Sequence, residues 1–345
     1  MKRILSKMLG GALLFGLTMS LTSCEDILGH WEKPTPNPIT PPSGGETPTV
    51  EDVIKYGFKV KSLGGVDLTG DATSLKMTKA DGTLVAEAEV SAGKITIKNT
   101  DLTAASITAA ADFWFEATIG TDDKYIAKVN IDPATLSPES DKTLEMATLG
   151  DMILDDGTFA ASSSAGTKVA MIAYVGSDAC EAGDAPYNHG LALALSDVSS
   201  STYTWCSQTE ATCLASGHQY DTSTKFNDLA GIANTDALVN NAPAGHTHAA
   251  ASEARNYNSG THPDGTSDWF LPSAGQWDKM IGTGGYGLAN LKNTANGYTG
   301  LSGNNYYWSS SEIAAGGAWR FYSGSGNWPL SNKGLVSLVR ACLAF

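Results

Sequence analysis

The stretch Asp268–Met280, DWFLPSAGQWDKM, carries the clearest local pattern in the 345-residue sequence. Ser273 is followed three residues later by Gln276, the spacing of a helix capping box, in which each side chain binds the other residue's backbone N–H. A helix that begins there presents Trp277 and Met280 on one face, because residues three to four apart lie on the same side of a helix. The sequence therefore predicts a short helix that packs on an apolar core through its tryptophan.

The sequence around this helix predicts a larger domain over residues 142–345. Short apolar runs typical of buried strands occur before it, and two further stretches are compatible with helices. The strands are predicted at Met152–Leu154, Val169–Val175 and Gly190–Leu195, and the helices at Phe226–Val239 and Thr247–Asn256. The remainder is rich in Gly, Asn, Ser and Tyr, so we expect long ordered loops.

Residues 51–141 show a different pattern, in which apolar and polar residues alternate along short runs. The alternation is clearest at Tyr56–Val60, Lys94–Lys98, Phe113–Ile119 and Tyr125–Ile131, and a period of two is typical of strands with one buried face. The dipeptide Asp81-Gly82 between two such runs predicts a hairpin. We therefore expect an immunoglobulin-like β-sandwich that acts as a stalk. The predicted fold class of the whole chain is α+β and mostly β.

The N-terminal residues 1–23 have the pattern of a lipoprotein signal peptide. A basic start precedes the apolar run Met8–Met19, which is too short to span a bilayer, and Leu21-Thr22-Ser23-Cys24 resembles a lipobox. Cys24 is thus predicted to be acylated, with palmitate among its acyl chains, and to become the N-terminus. Glu25 and Asp26 resemble the export signal of Bacteroidetes surface lipoproteins. We expect a lipid anchor in the outer membrane, with the protein facing the cell exterior.

Residues 24–50 are predicted to be a spacer, because six prolines occur among Thr, Ser, Asn and Gly there and such segments favour extended polyproline II. The formal net charge of the chain is −14. A surface this acidic repels phosphate backbones, which argues against nucleic acid as a partner.

Cysteine usage leaves several arrangements open. Lipidation takes Cys24, and the remaining four, Cys180, Cys206, Cys213 and Cys342, allow three sets of two disulfides in an oxidising compartment. Cys206 and Cys213 are close enough in sequence to close a small loop, which would leave Cys180 to pair with Cys342. Four unpaired packing residues are the alternative.

The sequence offers little support for a metal, a cofactor or catalysis. No CxxC pair is present, and His246-Thr247-His248 has no third histidine in the same segment, so we expect neither a metal site nor a cofactor. A nucleophile elbow of the form GxSxG is also missing from the sequence. The prediction is therefore that the protein is not an enzyme; catalysis on surface polymers is the weakest alternative, and it would depend on His246.

Four motifs in the C-terminal region carry a family resemblance. They are DWFLPSAGQWDKM from Asp268, YYWSSSE from Tyr306, AWRF from Ala318 and the terminal LVRACLAF. Together they resemble C-type-lectin-like domains of the formylglycine-generating-enzyme type on Bacteroidetes surface lipoproteins, and more narrowly variable proteins of diversity-generating retroelements. The enzymes of that type use a pair of active-site cysteines, whereas Cys342 stands alone near this terminus, so the activity is not carried over.

The resemblance implies a small twisted antiparallel core with long loops and a C-terminal segment that returns to it. It also implies that reverse transcription with errors at adenines diversifies chosen codons while the surrounding frame stays constant. The frame is then predicted to include Trp277, Trp308, Trp319, Val339 and Phe345. The outward-facing, variable ligand-binding positions are predicted to be Ile313, Gly316, Arg320, Tyr322, Ser323, Pro329, Leu330, Ser331, Gly334, Leu335 and Ser337.

The composition of this segment suits a binding face. Tyr and Trp give rigid contact area, while Ser, Gly and Asn adapt and form hydrogen bonds, as in antibody loops. We therefore expect a surface lipoprotein that binds an extracellular protein or glycan through a diversified face. The alternative is a fimbrial or adhesin-type component of fixed specificity, without diversification.

Overall fold

The computed structural model describes residues 54–209, 212–215, 218–242 and 244–345. The predicted signal peptide, Cys24 and the proline-rich spacer lie outside the described residues. The described chain is mostly β-structure, arranged in several sheets with a few short helices, which confirms the predicted mostly-β class. None of the described helices combines the length and the apolar character needed to cross a membrane.

The first sheet contains eight strands and surrounds its own core. Its elements are β1 (Lys55–Ser62), β2 (Ala72–Thr78), β3 (Leu84–Glu87), β4 (Glu89–Ser91), β5 (Lys94–Lys98), α1 (Asn99–Ala104), β6 (Ala111–Ile119), β7 (Asp123–Ile131) and β8 (Lys142–Thr148). The strand order is β3-β2-β6-β7-β8-β1-β5-β4. All neighbours are antiparallel except β1 and β8, which run parallel.

Alternation along these strands produces the core, because every second side chain points to the same side. Phe58, Leu75, Ile97, Phe115 and Leu144, from five different strands, are buried in one cluster. The four predicted strands in this region are therefore confirmed. The predicted hairpin is confirmed as well, since Asp81-Gly82 joins the antiparallel pair β2 and β3.

The strand β8 corrects the predicted boundary between the two regions. The predicted sandwich ends at residue 141, but Lys142–Thr148 pairs with both β1 and β7. The eight-stranded sheet is complete only with this strand. The boundary was misplaced because a long segment without strands, residues 132–141, precedes β8 and resembles the end of a domain. Leu144 and Met146 nevertheless fill the first core, and the turn at Gly150 follows the strand.

The C-terminal region contains the remaining strands and helices. They are β9 (Met152–Leu154), β10 (Phe159–Ala160), β11 (Lys168–Val175), β12 (Gly190–Ala194), β13 (Tyr203–Thr204), α2 (Gly231–Asn240), α3 (Ala249–Arg255), α4 (Ala274–Ile281), α5 (Leu288–Leu291), β14 (Tyr306–Ala314), β15 (Gly317–Tyr322), β16 (Leu330–Asn332), β17 (Val336–Ser337) and β18 (Cys342–Ala344).

A five-stranded sheet of order β10-β9-β11-β12-β18 forms the centre of this region. Both faces of the sheet are covered. Ile172 and Ala192 face a cluster that includes α3, whereas Met171 and Leu193 face a second cluster that includes Trp277 of α4. Burial on both sides explains why the sequence of β11 is continuously apolar rather than alternating.

The helix predicted from the capping box is present as α4. The Gln276 N–H donates to Ser273 Oγ at 3.3 Å, and the Ser273 N–H donates to Gln276 Oε1 at 3.0 Å. Trp277 and Met280 are fully buried, as expected for the face that meets the central sheet. The helix α2 begins later than predicted because Asp228 accepts a hydrogen bond from the Ala230 N–H at 3.0 Å and ends the preceding turn.

The side chain of Phe345 lies where the two regions meet. Its ring is 5.4 Å from that of Phe159 and 6.0 Å from that of Trp114 on β6. His189 also stacks on Trp114, with 4.3 Å between ring centroids. The predicted frame residue Phe345 is therefore buried in an aromatic cluster that includes a side chain from the eight-stranded sheet.

Candidate functional site

The predicted binding residues lie on and beside a three-stranded sheet of order β14-β15-β16. Tyr306 is paired with Tyr322, and Trp308 with Arg320, across β14 and β15. Paired residues point to the same side of an antiparallel sheet. The aromatic and cationic side chains of Tyr306, Arg320 and Tyr322 are therefore presented together on one face.

The predicted frame tryptophans are buried, as expected. Trp277, Trp308 and Trp319 are each at most 1% exposed. Each indole N–H is satisfied by a backbone carbonyl, at 2.8 Å for Trp308 to Tyr203 and for Trp319 to Tyr220, and at 3.2 Å for Trp277 to Trp308. A buried indole keeps its full packing contribution only when its N–H has a partner. The frame is thus both apolar and fully hydrogen-bonded at these positions.

The motif YYWSSSE supplies buried polar contacts as well as apolar ones. Glu312 is fully buried and accepts hydrogen bonds from the backbone N–H groups of Cys213 at 2.7 Å and Leu214 at 3.0 Å. It also forms a buried ion pair with Lys333. This network ties the loop after residue 206 to β14, and it explains why a charged residue occurs in an otherwise buried strand.

The structure divides the predicted ligand-binding positions into three groups. Leu330, Gly334 and Leu335 are exposed, with Leu330 the most exposed large apolar side chain of the chain's described part at 65%. Ile313, Gly316, Arg320, Tyr322 and Pro329 are half-buried. Ser323, Ser331 and Ser337 are buried.

The prediction that these three serines face outward is wrong, because their hydroxyls bind neighbouring groups. Ser323 Oγ donates to the Ser302 carbonyl at 2.6 Å. Ser331 and Ser337 accept hydrogen bonds from the Arg320 guanidinium, at 2.7 Å from Nε and 3.0 Å from Nη1. A small polar residue in a loop-rich segment looks the same in sequence whether it faces solvent or supports a neighbour.

Arg320 occupies the centre of this face. Its guanidinium carbon is 4.0 Å from the ring centroid of Tyr306 and 5.5 Å from that of Trp308, and burial lowers the pKa of Arg320. Within the residues that the structure describes, no carboxylate forms an ion pair with it. The two serines hold Nε and Nη1 in place, so the guanidinium is a fixed, partly buried cation beside aromatic rings.

Sequence reasoning missed two residues of the exposed surface. Tyr306 is 37% exposed and Val336 is 54% exposed. The alternation in Tyr306-Tyr307-Trp308 predicts that Tyr306 and Trp308 share a face, but not that Tyr306 extends beyond the buried part of the strand. Val336 lies next to Ser337, and the Arg320 Nη1 group approaches its carbonyl at 3.5 Å.

The possible disulfides are not formed in the structure. The sulfur atoms of Cys206 and Cys213 are 3.6 Å apart, well beyond the roughly 2.05 Å of a disulfide bond. Cys180 and Cys342 are buried thiols, and burial raises the pKa of both. Of the two arrangements considered, the structure therefore has the one with unpaired packing thiols at Cys180 and Cys342, while Cys206 and Cys213 lie close together beside His246.

Comparison with known proteins assigns no family or function to this chain. No protein-family model matches the chain, and no curated protein matches it. A solved structure described as a fimbrial protein from Bacteroides ovatus is similar with a TM-score of 0.45 and 12% sequence identity, over 84% of this chain and 69% of that one. A similarity this distant assigns neither fold nor function to the present chain.

Proposed function

We propose that the protein is a surface-exposed lipoprotein whose C-terminal region, a C-type-lectin-like domain, binds an extracellular protein or glycan through the face around Arg320. The observation that carries the proposal is the pairing of partly exposed aromatic rings with a fixed cation on a sheet whose tryptophans are fully buried. Tyr306 and Tyr322 lie with ring centroids 5.0 Å apart, and Arg320 is held beside them by two buried serines.

The chemistry of this face favours a ligand with an acidic or polar group next to a flat surface. A guanidinium that has no carboxylate partner in the described chain can donate a charge-assisted hydrogen bond to a ligand carboxylate, through Nη2, because Nε and Nη1 already donate to Ser331 and Ser337. Aromatic rings beside it can stack on a sugar ring or on a peptide side chain. Because the protein as a whole is acidic, recognition of an acidic group would depend on this local cation rather than on the overall charge.

Diversification of the face is a second part of the proposal, and it rests on the family resemblance. Leu330, Gly334 and Leu335 are exposed loop or strand-edge positions, where exchange of a side chain usually changes stability by less than about 0.5 kcal/mol. A face with several such positions above a buried frame can vary without loss of folding.

Binding is tested by screening the full chain on an array of acidic and neutral glycans and on a panel of host extracellular-matrix proteins. We expect at least one hit that Arg320→Ala and Tyr322→Ala each reduce at least tenfold. Lys94→Ala, an exposed cation on β5, is the control and leaves binding unchanged. A hit that survives both face variants places the binding surface elsewhere and contradicts the proposal.

Diversification is tested by sequencing the DNA downstream of the gene. A near-copy of the segment encoding residues 306–345, which differs only where the copy has adenine and which lies beside a reverse transcriptase gene, supports it. Absence of such a copy favours a fimbrial or adhesin-type component with fixed specificity.

A further inference from the structure

A cluster of four potential metal ligands lies beside Lys333, the residue that precedes the exposed positions Gly334 and Leu335. Cys206 follows β13, Cys213 is seven residues further on, and His246 and His248 immediately precede α3. One ligand atom from each of the four lies within 4.8 Å of all the others. Cys206, Cys213 and His248 are buried, and His246 is half-buried. Side chains that are far apart in sequence thus meet at one point.

We propose that these four residues form a structural zinc site, with two thiolates and two imidazoles as ligands. The proposal does not depend on the function of the binding face. Two cysteines and two histidines are a common ligand set of tetrahedral structural zinc, and four protein ligands leave no open position for substrate. The site would therefore hold the fold together rather than catalyse a reaction.

The distances fit a tetrahedron around a metal. Zinc–sulfur bonds of about 2.3 Å and zinc–nitrogen bonds of about 2.0–2.1 Å give tetrahedral edges of about 3.8 Å between sulfurs and about 3.5 Å between sulfur and nitrogen. The Cys206 and Cys213 sulfurs are 3.6 Å apart. Their distances to His246 Nδ1 are 3.8 Å and 3.9 Å. Little movement would be needed to place these three atoms on one ion.

The state of His248 gives an independent reason to expect a ligand. Both of its ring nitrogens are buried and make no hydrogen bond of normal geometry. A buried polar group without a partner destabilises the fold, and a metal bond would remove that cost. The ring packs edge-on against Trp205, with 5.6 Å between centroids, so its orientation is fixed before any metal binds.

Contacts around the cluster hold its ligand segments in place. Lys333 Nζ lies 3.7 Å from Cys213 Sγ. Metal-binding sites are commonly supported by such outer contacts, which orient the ligands. The Ser207 N–H donates to the Thr247 carbonyl at 2.9 Å, and the Thr247 N–H donates to Ser207 Oγ at 2.9 Å, so the two ligand segments are already joined.

A metal bound here would also stabilise the backbone next to the proposed binding face, through Lys333. The Lys333 carbonyl accepts hydrogen bonds from the N–H groups of Trp205 at 2.9 Å and Cys206 at 3.3 Å. Lys333 lies directly before Gly334 and Leu335, two of the proposed binding positions. The segment that carries the two cysteines therefore supports the backbone that carries the exposed loop.

The test is metal analysis of the full chain, purified in detergent after incubation with zinc and removal of excess by dialysis. We expect one zinc ion per chain, measured by inductively coupled plasma mass spectrometry. Cys206→Ser and His248→Asn should each lower the zinc content to background. Cys180→Ser, which changes a buried thiol in another cluster, should retain it.

Cobalt substitution keeps the proposal testable if the variants fail to fold. The wild-type chain loaded with Co²⁺ should show an intense sulfur-to-cobalt charge-transfer band and the strong visible absorption of tetrahedral cobalt. Wild-type protein that takes up no zinc, weak octahedral cobalt bands, or a mass lower by two hydrogens from a Cys206–Cys213 disulfide would each overturn the proposal.

Discussion

The two sides of the β14–β15 hairpin differ in what holds their side chains. On the buried side Trp319 and Phe321 pack into the core, and the indole N–H of Trp319 has a carbonyl partner. On the other side Tyr306 and Tyr322 are partly exposed and Arg320 is held by hydrogen bonds to two serines. One strand therefore carries frame and binding positions in alternation, and substitutions at adjacent residues should have very different costs.

The largest effect is expected for loss of a frame tryptophan. Trp319→Ala would remove a fully buried side chain and leave the Tyr220 carbonyl without its donor, which should lower the free energy of unfolding by about 3–5 kcal/mol. Urea denaturation measures this change. Tyr306→Ala, an aromatic of the same sheet that is partly exposed, is the control and should cost much less. Equal losses of unfolding free energy for the two variants would contradict the division of the sheet into a buried and a partly exposed side.

A smaller loss of stability is expected when the buried ion pair between Glu312 and Lys333 is broken. Glu312→Ala would leave the buried Lys333 ammonium and two backbone N–H groups without their carboxylate partner. Breaking a buried ion pair typically costs about 3–5 kcal/mol, and we expect the lower end because Lys333 keeps its hydrogen bond to the Ala315 carbonyl. Thermal unfolding of this variant should show a clear drop in midpoint. Glu89→Ala, which breaks exposed ion pairs on β4, should leave the midpoint unchanged. A similar drop in this variant would contradict the expectation that only the buried ion pair stabilises the fold.

Stability should also depend on pH through His189, which is buried against Trp114 where the two regions meet. Burial lowers the pKa of His189 to about 4 from its usual 6.5, so between these values the unfolded chain binds a proton that the folded chain does not. Stability should therefore fall as pH falls from 6.5 to about 4, by about 2 kcal/mol after allowance for partial solvent access. His189→Phe keeps a ring against Trp114 and should show a smaller dependence when unfolding is followed across this pH range. An unchanged pH dependence would exclude His189 as its source.

The smallest effect is expected at the exposed edge. Leu330→Ser changes a side chain that is 65% exposed, and surface substitutions away from special features usually change stability by less than about 0.5 kcal/mol. The urea midpoint should stay within error of the wild type. A loss comparable to that of Trp319→Ala would mean that Leu330 belongs to the frame.

Much of the fold follows from local sequence patterns. Period-two alternation located β1, β5, β6 and β7 of the first sheet, and the spacing of Ser273 and Gln276 located α4, because both patterns depend on neighbours within a few residues. The end of the first sheet at β8 was missed, since its pairing with β1 joins residues more than eighty positions apart.

The site was predicted less completely, for a related reason. Composition indicated an exposed face, and Arg320, Leu330 and Leu335 do lie on it. Composition could not show that Ser331 and Ser337 turn inward to hold Arg320, because that depends on where a single guanidinium lies. The cysteine and histidine cluster was set aside for the same reason, since spacing along the chain does not reveal that residues 206, 213, 246 and 248 converge.

The central claim is that buried frame and exposed face alternate along β15, with Trp308 of β14 buried on the Arg320 side. A saturation substitution scan of residues 306–337 tests it most directly. Variants displayed on cells would be scored for folding by protease resistance. The account predicts broad tolerance at Tyr306, Tyr322, Leu330 and Leu335, and intolerance at Trp308, Trp319, Phe321 and Ser323. Tolerance that is uniform along the segment, or intolerance at the exposed positions, would contradict it.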